Sequence, residues 1–328
     1  MKKDLLSIRD LTKDEILFFL SEARTHKPKV KDMNLRDNSL GGVSITTLFY
    51  ENSTRTKMSF LLAGEYLGAY ADDLNVSTSS VNKGETLIDT GLNLDAMGTN
   101  VIVIRHGMTG AAHLLARNVK ASVINGGDGS NEHPTQALLD LFTIQEYKGD
   151  FKNLKVVIVG DIANSRVARS NVFGLTKLGA KVVLAGPSTL ISGAMRSLGD
   201  NIEVTTNVAE AIKDADVVMG LRIQLERQKT NNFPSLEEYH KFFGVTAGMI
   251  DVAKHDALIM HPGPVNRGVE LCTDLIDGNR SVILNQVENG LAVRMAVLNT
   301  LVTANENNIK TRQVKIARFN NNPFAMAN

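Results

Sequence analysis

The 328-residue sequence predicts an α/β protein with two doubly wound domains, each with a central, mostly parallel sheet flanked by helices, joined by interdomain helices. Short apolar runs rich in β-branched residues alternate with helical patterns along the chain, which is typical of α/β folds. Several of these runs, such as residues 156–159, are almost continuously apolar, as expected of parallel strands buried on both faces. The length corresponds to about two domains.

Eight short β-branched runs are the strand candidates. In chain order they are residues 43–50, 101–105, 122–125, 155–160, 181–185, 216–221, 257–260 and 282–284.

Helical spacing lies between these strands. One predicted helix has its apolar face at i, i+3, i+4 and i+8, formed by Met58, Leu61, Leu62 and Tyr66. Another is predicted to begin at Pro134, because proline is favoured in the first helical turn. Its apolar face is formed by Leu138, Leu141 and Phe142.

The boundary between the domains is predicted near Gly149, because residues 147–150 are polar and a new series of strands and helices follows them. This division gives a first domain over residues 1–148 and a second over 149–286.

The end of the chain divides into two segments. Residues 291–302 are nearly all apolar, which predicts a helix over about 287–304 that is buried on most sides and packs back onto the first domain. The tail, residues 305–328, contains seven asparagines and carries a net charge of +3. This composition predicts an extended or disordered segment, and a docking arm for a partner is the alternative.

Composition excludes several classes of function. With 36 basic and 35 acidic residues, the chain lacks the positive excess of proteins that bind nucleic acid over a large surface. Cys272 is the single cysteine, so neither an internal disulfide nor a cysteine-rich zinc site can form. No apolar window reaches the length of a membrane span or a signal peptide. We therefore expect a cytoplasmic protein with no membrane contact.

The first segment that could form a functional site is residues 49–56, F-Y-E-N-S-T-R-T, where a predicted strand ends and a helix begins. A helix N-terminus presents free N–H groups to an anion such as phosphate. Ser53, Thr54 and Thr56 add hydroxyl donors, and Arg55 adds a guanidinium that can bind two oxygens. Simple helix capping by Ser53 or Thr54 is the alternative.

The second segment is the glycine-rich loop and helix start G-G-D-G-S-N-E-H-P-T-Q, residues 126–136. His133 lies at or beside the helix N-cap, where the helix dipole favours the neutral imidazole. A neutral imidazole can polarise a carbonyl oxygen. A surface loop with an incidental histidine is the alternative.

The third segment, residues 77–86, is polar and rich in serine and threonine. Its functional interpretation is a lid that supplies Lys83 and a serine to an anionic ligand. The alternative is an ordinary solvated loop.

The fourth group comprises arginines at predicted strand ends. Arg105, Arg166 and Arg222 each end or follow a strand, and ligands of parallel sheets bind at the carboxyl ends of strands. Taken singly, each could be a surface arginine. Neither a G-x-G-x-x-G dinucleotide fingerprint nor a P-loop motif is present, which argues against a nucleotide-binding dehydrogenase and a P-loop nucleotide site.

The fifth segment is M-H-P-G-P-V-N-R-G, residues 260–268, which follows the strand 257–260. Two prolines around a glycine predict a rigid turn. Its fixed carbonyl oxygens could accept hydrogen bonds from an amine, or the turn could be purely structural.

In this order, the five segments resemble the aspartate/ornithine carbamoyltransferase family. The matched motifs are S-T-R-T, S-x-x-x-K-G-E, H-P-T-Q and H-P-G-P, and the resemblance covers about residues 1–304. Two features favour the catalytic chains of the aspartate members over the ornithine members. Glu51 stands where ornithine enzymes usually carry lysine, and H-P-G-P stands where they usually carry H-C-L-P.

The resemblance implies transfer of the carbamoyl group of carbamoyl phosphate to the α-amine of L-aspartate, giving N-carbamoyl-L-aspartate and phosphate. This is an early step of de novo pyrimidine biosynthesis. The first domain would bind carbamoyl phosphate and the second would bind aspartate. No cofactor and no catalytic metal are implied.

Roles for individual residues also follow from the resemblance. The catalytic residues would be Arg55, Thr56, Lys83, Arg105 and His133. The phosphate would be bound by Ser53, Thr54, Arg55, Thr56 and Arg105. The carbamoyl group would be held by Thr56, Arg105, His133 and Gln136. The carboxylates would be bound by Arg166, Arg222 and Gln224. The carbonyls of Pro262 and Gly263 would accept from the substrate nitrogens.

The family also implies a homotrimer with active sites shared between subunits. Lys83 and a loop serine would come from the neighbouring subunit, and Lys83 would reach both substrates. Counting back four residues from Lys83 identifies the serine as Ser79, with the adjacent Ser80 as the alternative. A regulatory chain or another pyrimidine-pathway enzyme is a possible partner.

Two rival functions are open, one within the enzymes and one from another class. A carbamoyltransferase could act on a different amino acceptor, which an acceptor assay would reveal. A non-catalytic assembly partner could retain the fold, but it would be expected to lose charged site residues, and the matched ones are all present.

Overall fold

The computed structural model describes residues 2–76, 84–223 and 235–320, with side chains up to residue 305. The described strands are Ser44–Phe49 (β1), Tyr70–Leu74 (β2), Val101–His106 (β3), Ser122–Asp128 (β4), Lys155–Val159 (β5), Lys181–Ala185 (β6), Ile202–Thr205 (β7), Val217–Gly220 (β8) and Leu258–Met260 (β9). The described α-helices are Lys13–His26 (α1), Pro28–Lys31 (α2), Thr54–Glu65 (α3), Leu87–Ala96 (α4), Ala111–Asn118 (α5), Pro134–Lys148 (α6), Arg166–Leu178 (α7), Val208–Ile212 (α8), Leu236–Phe243 (α9), Ala247–Ile250 (α10), Thr273–Ile276 (α11) and Ile283–Asn320 (α12).

The strands form two sheets, as the sequence predicts. The first sheet has the order β2-β1-β3-β4 and the second has the order β7-β6-β5-β8-β9. All the pairings between these strands are parallel. Helices cover both faces of each sheet, so the molecule is a pair of doubly wound α/β units, and the predicted fold class is confirmed.

Two described strands were not predicted. β2 and β7 lie at sheet edges and are only partly buried. β2 has the sequence Y-A-D-D-L, whose aspartates are poor strand formers. An edge strand needs fewer apolar residues than a central one, so the apolar-run signal is weak there.

The predicted strand 282–284 is wrong. Ser281 makes a single parallel bridge to Ile259, and the Val282 N–H donates to the Ile259 carbonyl at 3.0 Å. Helix α12 begins at the next residue. A short β-branched run does not by its periodicity distinguish a strand from the start of a buried helix.

Helix α3 lies where it was predicted, but a different face is buried. Phe60 and Ala63 are fully buried, whereas Met58 is 48% exposed. The helix carries apolar residues on two sides, and its sequence alone does not rank them. Helix α6 begins at Pro134, and its predicted face of Leu138, Leu141 and Phe142 is fully buried.

Helix α12 packs against α1, α3 and α6, with a smaller contact on β9. Among the described residues, its apolar stretch belongs to the largest hydrophobic cluster, which also includes residues of β1, β5 and α7. The helix therefore holds the two sheet units together through one shared core.

The expected extended or disordered tail, residues 305–328, is wrong for residues 305–320, because α12 continues as a helix to Asn320. Extending an existing helix fixes one residue per new hydrogen bond and avoids the cost of nucleation, which offsets the low helix propensity of asparagine. Residues 321–328 lie outside the described residues. No helix in the described part of the chain is long and apolar enough to cross a membrane.

Candidate active site

Many of the predicted site residues lie at the ends of four strands that flank two topological switch points. In the first sheet the strand order reverses between β1 and β3, and in the second it reverses between β5 and β8. The crevice outside the carboxyl ends of such strands is the usual ligand site of an open α/β sheet. Arg105 lies near the end of β3, and Arg166 and Arg222 follow β5 and β8.

The segment after β1 forms the N-terminus of α3. Ser53 is the N-cap residue, with φ −161° and ψ 98°, but its hydroxyl makes no capping hydrogen bond. Capping by Ser53 is therefore not what this serine does in the structure. Thr54 and Arg55 are exposed on the first turn, and Thr56 is buried. The first turn of α3 thus presents free donors of the kind that bind phosphate.

Arg55 extends from the first sheet unit to the H-P-G-P turn of the second. A Cβ built on Gly263, whose φ is +65°, would lie 2.8 Å from the Arg55 Cζ atom. Only a glycine lets the guanidinium approach the backbone so closely. Partial burial of the guanidinium, together with the positive charge of Arg222, lowers the pKa of Arg55. An anion bound beside these two arginines would relieve their repulsion.

The H-P-G-P turn is fixed from inside the protein. The His261 Nδ1 atom accepts from the Gly263 N–H at 2.8 Å, and the His261 N–H donates to the Gln286 Oε1 atom at 2.9 Å. Burial and the charges of Arg55 and Arg222 lower the pKa of His261 to about 3, so the imidazole is neutral at physiological pH.

Glu51 connects two of the predicted arginines. Its Oε2 atom accepts from Arg166 at 2.6 Å and lies 3.4 Å from the Arg105 Nε atom. Arg166 also donates to the Gly129 carbonyl at 3.2 Å, and only 4% of its side chain is exposed. The Arg105 guanidinium lies 3.5 Å from the Gly126 carbonyl. The two guanidinium groups are therefore held at one end of the cleft by a shared carboxylate.

His133 is the N-cap residue of α6, as predicted, and its side chain makes no capping hydrogen bond. Its backbone N–H donates to the Ser170 Oγ atom at 2.9 Å, and Ser170 donates to Glu132 at 3.0 Å. These bonds tie the start of α6 to α7. The Gln136 side chain, one turn along, donates to Asp140 at 3.0 Å.

The structure thus brings the described candidates to the carboxyl ends of both sheets. Those candidates are Ser53, Thr54, Arg55, Thr56, Arg105, His133, Gln136, Arg166, Arg222, Pro262 and Gly263. Ser79, Ser80, Lys83 and Gln224 lie outside the described residues. Among the described residues, no group of three His, Cys, Asp or Glu side chains could hold a metal ion.

Sequence reasoning missed the acidic residues that hold the site together. Glu51 entered the prediction only as a marker of acceptor type, and Glu132 and Asp140 were not predicted at all. Asp140 did carry a signal, because it is a charged residue inside the apolar stretch 137–142. Nothing local marks Glu51 as the partner of Arg166, since 115 residues separate them.

Comparison with known proteins gives a consistent result. The carbamoyl-phosphate-binding domain of the aspartate/ornithine carbamoyltransferases matches residues 3–146, and their aspartate/ornithine-binding domain matches residues 152–301. The chain is 62% identical to the aspartate carbamoyltransferase catalytic subunit of Acetivibrio thermocellus, over 90% of this chain and 94% of that protein. Identity to the subunit of the same name from Ruminiclostridium cellulolyticum is 59%, with the same coverage.

Solved structures of both branches of the family share the fold. Aspartate transcarbamoylase from Trypanosoma cruzi, in complex with carbamoyl phosphate and aspartate, is 29% identical with a TM-score of 0.80, covering 90% of this chain and 94% of that one. Ornithine carbamoyltransferase from Pyrococcus furiosus is 34% identical with a TM-score of 0.80, covering 90% and 95%. Two matched domains, close relatives and a shared fold lead to one conclusion: the chain belongs to the aspartate/ornithine carbamoyltransferase family.

Proposed function

We propose that this chain transfers the carbamoyl group of carbamoyl phosphate to the α-amine of L-aspartate. The observation that carries the proposal is the approach of Arg55, from the first sheet unit, to Arg222 and Gly263 of the second. Two cations and a fixed backbone turn meet between a phosphate-type helix N-terminus and a second set of arginines. Such a cleft suits two anionic substrates side by side.

The chemistry needs no nucleophilic side chain. The uncharged amine of aspartate attacks the carbamoyl carbon, the new C–N bond forms, and the bond from carbon to the phosphate oxygen breaks. A phosphate oxygen can take the proton that the amine loses. Negative charge develops on the carbonyl oxygen, which Thr56, Arg105 and His133 would stabilise as donors. Each such donor is typically worth about 3 kcal/mol of the barrier.

The choice of acceptor rests on charge. L-aspartate brings two carboxylates, for which Arg166 and Arg222 are suitable bidentate partners. Glu51 and the Gly129 carbonyl accept from the Arg166 guanidinium, which fixes its orientation beside the cleft. Relatives that are 62% and 50% identical both carry the name aspartate carbamoyltransferase catalytic subunit. The more distant solved structures include both acceptor types, so they do not discriminate.

We propose that each half of the chain binds the substrate named in the description of its matched domain. Residues 1–148 would bind carbamoyl phosphate and residues 149–286 would bind aspartate. The four arginines support this division, because Arg55 and Arg105 belong to the first half and Arg166 and Arg222 to the second.

We also propose a homotrimer in which Lys83, with Ser79 or Ser80, completes the site of a neighbouring subunit. Large apolar side chains on the first half support an interface there, since Tyr70 is 70% exposed and Met97 is 74% exposed. Further exposed apolar residues of this half are Met58, Leu92, Met108 and Leu114. A contiguous patch of such side chains would be typical of a surface that another subunit covers. A regulatory chain or another pathway enzyme as partner, and a place in the cytoplasm, remain parts of this proposal.

The direct test is phosphate release by the purified chain with carbamoyl phosphate and either L-aspartate or L-ornithine. We expect turnover with L-aspartate and little with L-ornithine. Robust turnover of ornithine would assign the chain to the other branch of the family, and inactivity with every amino acceptor would favour a non-catalytic role.

A further inference from the structure

Asp140 is a fully buried carboxylate that lies behind the cleft. Three side-chain amides donate to it: Gln136 at 3.0 Å, Gln286 at 2.7 Å and Asn171 at 2.7 Å. These amides come from α6, α12 and α7, so one carboxylate joins three helices that belong to different parts of the fold.

An ionised carboxylate can only accept hydrogen bonds, so it determines which way each amide faces. The Gln136 Nε2 atom must point to Asp140, which leaves the Gln136 Oε1 atom for other partners. Gln136 lies in the first turn of α6, three residues after the N-cap residue His133. Its oxygen is therefore presented as an acceptor, which is the group needed to hold the NH₂ of a carbamoyl group.

The Asp140 carboxylate also determines which way the Gln286 amide faces. Its Nε2 atom donates to the Asp140 Oδ1 atom, which leaves the Gln286 Oε1 atom to accept from the His261 N–H at 2.9 Å. His261 begins the H-P-G-P turn, whose Gly263 lies against Arg55. Asp140 thus orients a contact to the carbamoyl side and, through Gln286, a contact to the turn.

The charge of Asp140 has a local counterion. Burial raises the pKa of Asp140 to about 6, while the three amides and the cation of Arg294 oppose that rise. Arg294 lies on α12, is buried, and stacks with its Cζ atom 5.2 Å from the centre of the Phe60 ring. At neutral pH the carboxylate form prevails, so the orienting pattern of acceptors is present.

We propose that Asp140 is a positioning residue for the reaction. It orients Gln136 toward the carbamoyl group and, through Gln286, fixes the position of the H-P-G-P turn relative to that group. This inference rests on the proposed function. It makes Asp140 the link by which the two halves of the cleft keep their spacing, although Asp140 itself touches neither substrate.

A double-mutant cycle tests the link to Gln136. Asp140→Asn keeps the shape but offers one acceptor oxygen to three N–H donors, so at least one amide must turn or lose its partner. We expect kcat/KM for carbamoyl phosphate to fall roughly tenfold to a hundredfold, the range that a misplacement of about 1 Å can cause. In a Gln136→Ala background, with aspartate saturating so that the link through Gln286 does not contribute, the same substitution should change kcat/KM for carbamoyl phosphate by less than about twofold, because coupled residues are not additive.

Thr143→Val is the matched control. Thr143 lies one turn after Asp140 on α6, is fully buried, and accepts from Asn289 of α12 at 2.9 Å. It has no bond to either glutamine, so its loss should lower the thermal unfolding temperature and leave kcat/KM within about twofold. If Asp140→Asn behaves like Thr143→Val, or if its effect multiplies with that of Gln136→Ala, Asp140 is only structural and the proposal is wrong.

Gln286→Met tests the link from Asp140 through Gln286 to the H-P-G-P turn. It also serves as the test if Asp140→Asn does not fold. It removes the contact to the His261 N–H while leaving the Gln136 bond to Asp140 in place. We expect the KM for aspartate to rise at least about fivefold, with carbamoyl phosphate affinity by calorimetry changed less than about twofold. An unchanged KM for aspartate would contradict the proposed link through Gln286. The unmodified chain is assayed in parallel, so its inactivity would count against the proposed function and not against the role of Asp140.

Discussion

The Arg166 guanidinium donates to the Glu51 carboxylate over 2.6 Å, and this ion pair joins the segment after β1 to the first turn of α7. The two residues belong to different sheet units, so the pair spans the mouth of the cleft. Only 4% of the Arg166 side chain is exposed, compared with 25% for Glu51. A cation this buried needs a partner, and removing that partner is expected to cost more than breaking a surface ion pair.

Glu51→Gln should therefore weaken aspartate binding more than carbamoyl phosphate binding. The Arg166 contact is short, whereas the Arg105 contact is 3.4 Å long. Removing the carboxylate charge should therefore disturb the orientation of Arg166 more than that of Arg105. A hydrogen bond to a charged group is worth about 1.5–3 kcal/mol, so we expect the KM for aspartate to rise roughly tenfold to a hundredfold. Initial rates at saturating carbamoyl phosphate measure this effect.

Glu203→Gln is the control for charge alone. Glu203 pairs with Lys181 at 2.9 Å, and both side chains are about half exposed. This variant should keep the wild-type KM for both substrates. An equal rise in both KM values for Glu51→Gln would indicate that Glu51 shapes the whole cleft and not the Arg166 subsite.

A second prediction tests whether the active site is shared between subunits. Arg55→Ala and Lys83→Ala chains should each lose activity by several orders of magnitude. Arg55 is exposed on the first turn of α3, so its loss should leave the fold intact. When the two inactive proteins are dissociated, mixed and reassembled, some sites receive both intact residues if Lys83 acts across a boundary.

Activity should then return in the mixture and not in either protein treated alone. Mass measurement of the assemblies confirms that hybrids have formed. Hybrids without recovered activity would place Lys83 and Arg55 in the same chain's site, which contradicts the shared-site proposal.

The sequence and the structure agree best where strands are buried on both sides. β6 has the predicted bounds, and β3 differs from its prediction by one residue, because central parallel strands are continuous apolar runs. The edge strands β2 and β7 lack that signal. The arginines of the site could be predicted because ligands bind at the carboxyl ends of parallel strands. The carboxylates that orient them, such as Glu51, could not, since their pairings depend on the arrangement of the two sheet units.

A third prediction concerns stability at acidic pH. His26 is buried in the last turn of α1, with its Nδ1 atom 3.2 Å from the Lys29 Nζ atom. Burial, aided by the Lys29 charge, lowers its pKa from 6.5 to about 4. Between these values the unfolded chain binds a proton that the folded chain does not, so the free energy of unfolding falls as the pH falls. One such group contributes a slope of up to about 1.4 kcal/mol per pH unit.

His26→Gln should therefore flatten the decline in the free energy of unfolding between pH 6.5 and pH 4, as measured by denaturant titration at several pH values. Asp140, whose pKa is raised to about 6, acts in the opposite direction over the same range, so the difference between the two proteins is the quantity to compare. His255→Gln, at an exposed position, is the control. Identical pH dependence in His26→Gln and the unmodified chain would contradict the assignment.

The last prediction concerns the acceptor. Arg222 lies close enough to Arg55 for its charge to lower the pKa of Arg55, so this region of the cleft is already strongly positive. Two like charges about 4 Å apart repel by about 4 kcal/mol at an effective dielectric constant near 20. The ammonium of ornithine would add to that repulsion, whereas a carboxylate of aspartate relieves it.

Arg222→Ala should raise the KM for aspartate at least about a hundredfold, because a bidentate charged contact is lost. Carbamoyl phosphate affinity should change little, since its proposed phosphate ligands lie on α3 and β3. Calorimetry with carbamoyl phosphate and initial rates with aspartate separate the two effects, and Arg196→Ala, an exposed position in the second half, controls for the lost charge. Equal weakening of both ligands would mean that Arg222 supports the cleft as a whole. Because the substitution also removes a cation beside Arg55, any gain in ornithine turnover in the variant would further support charge as the basis of acceptor choice.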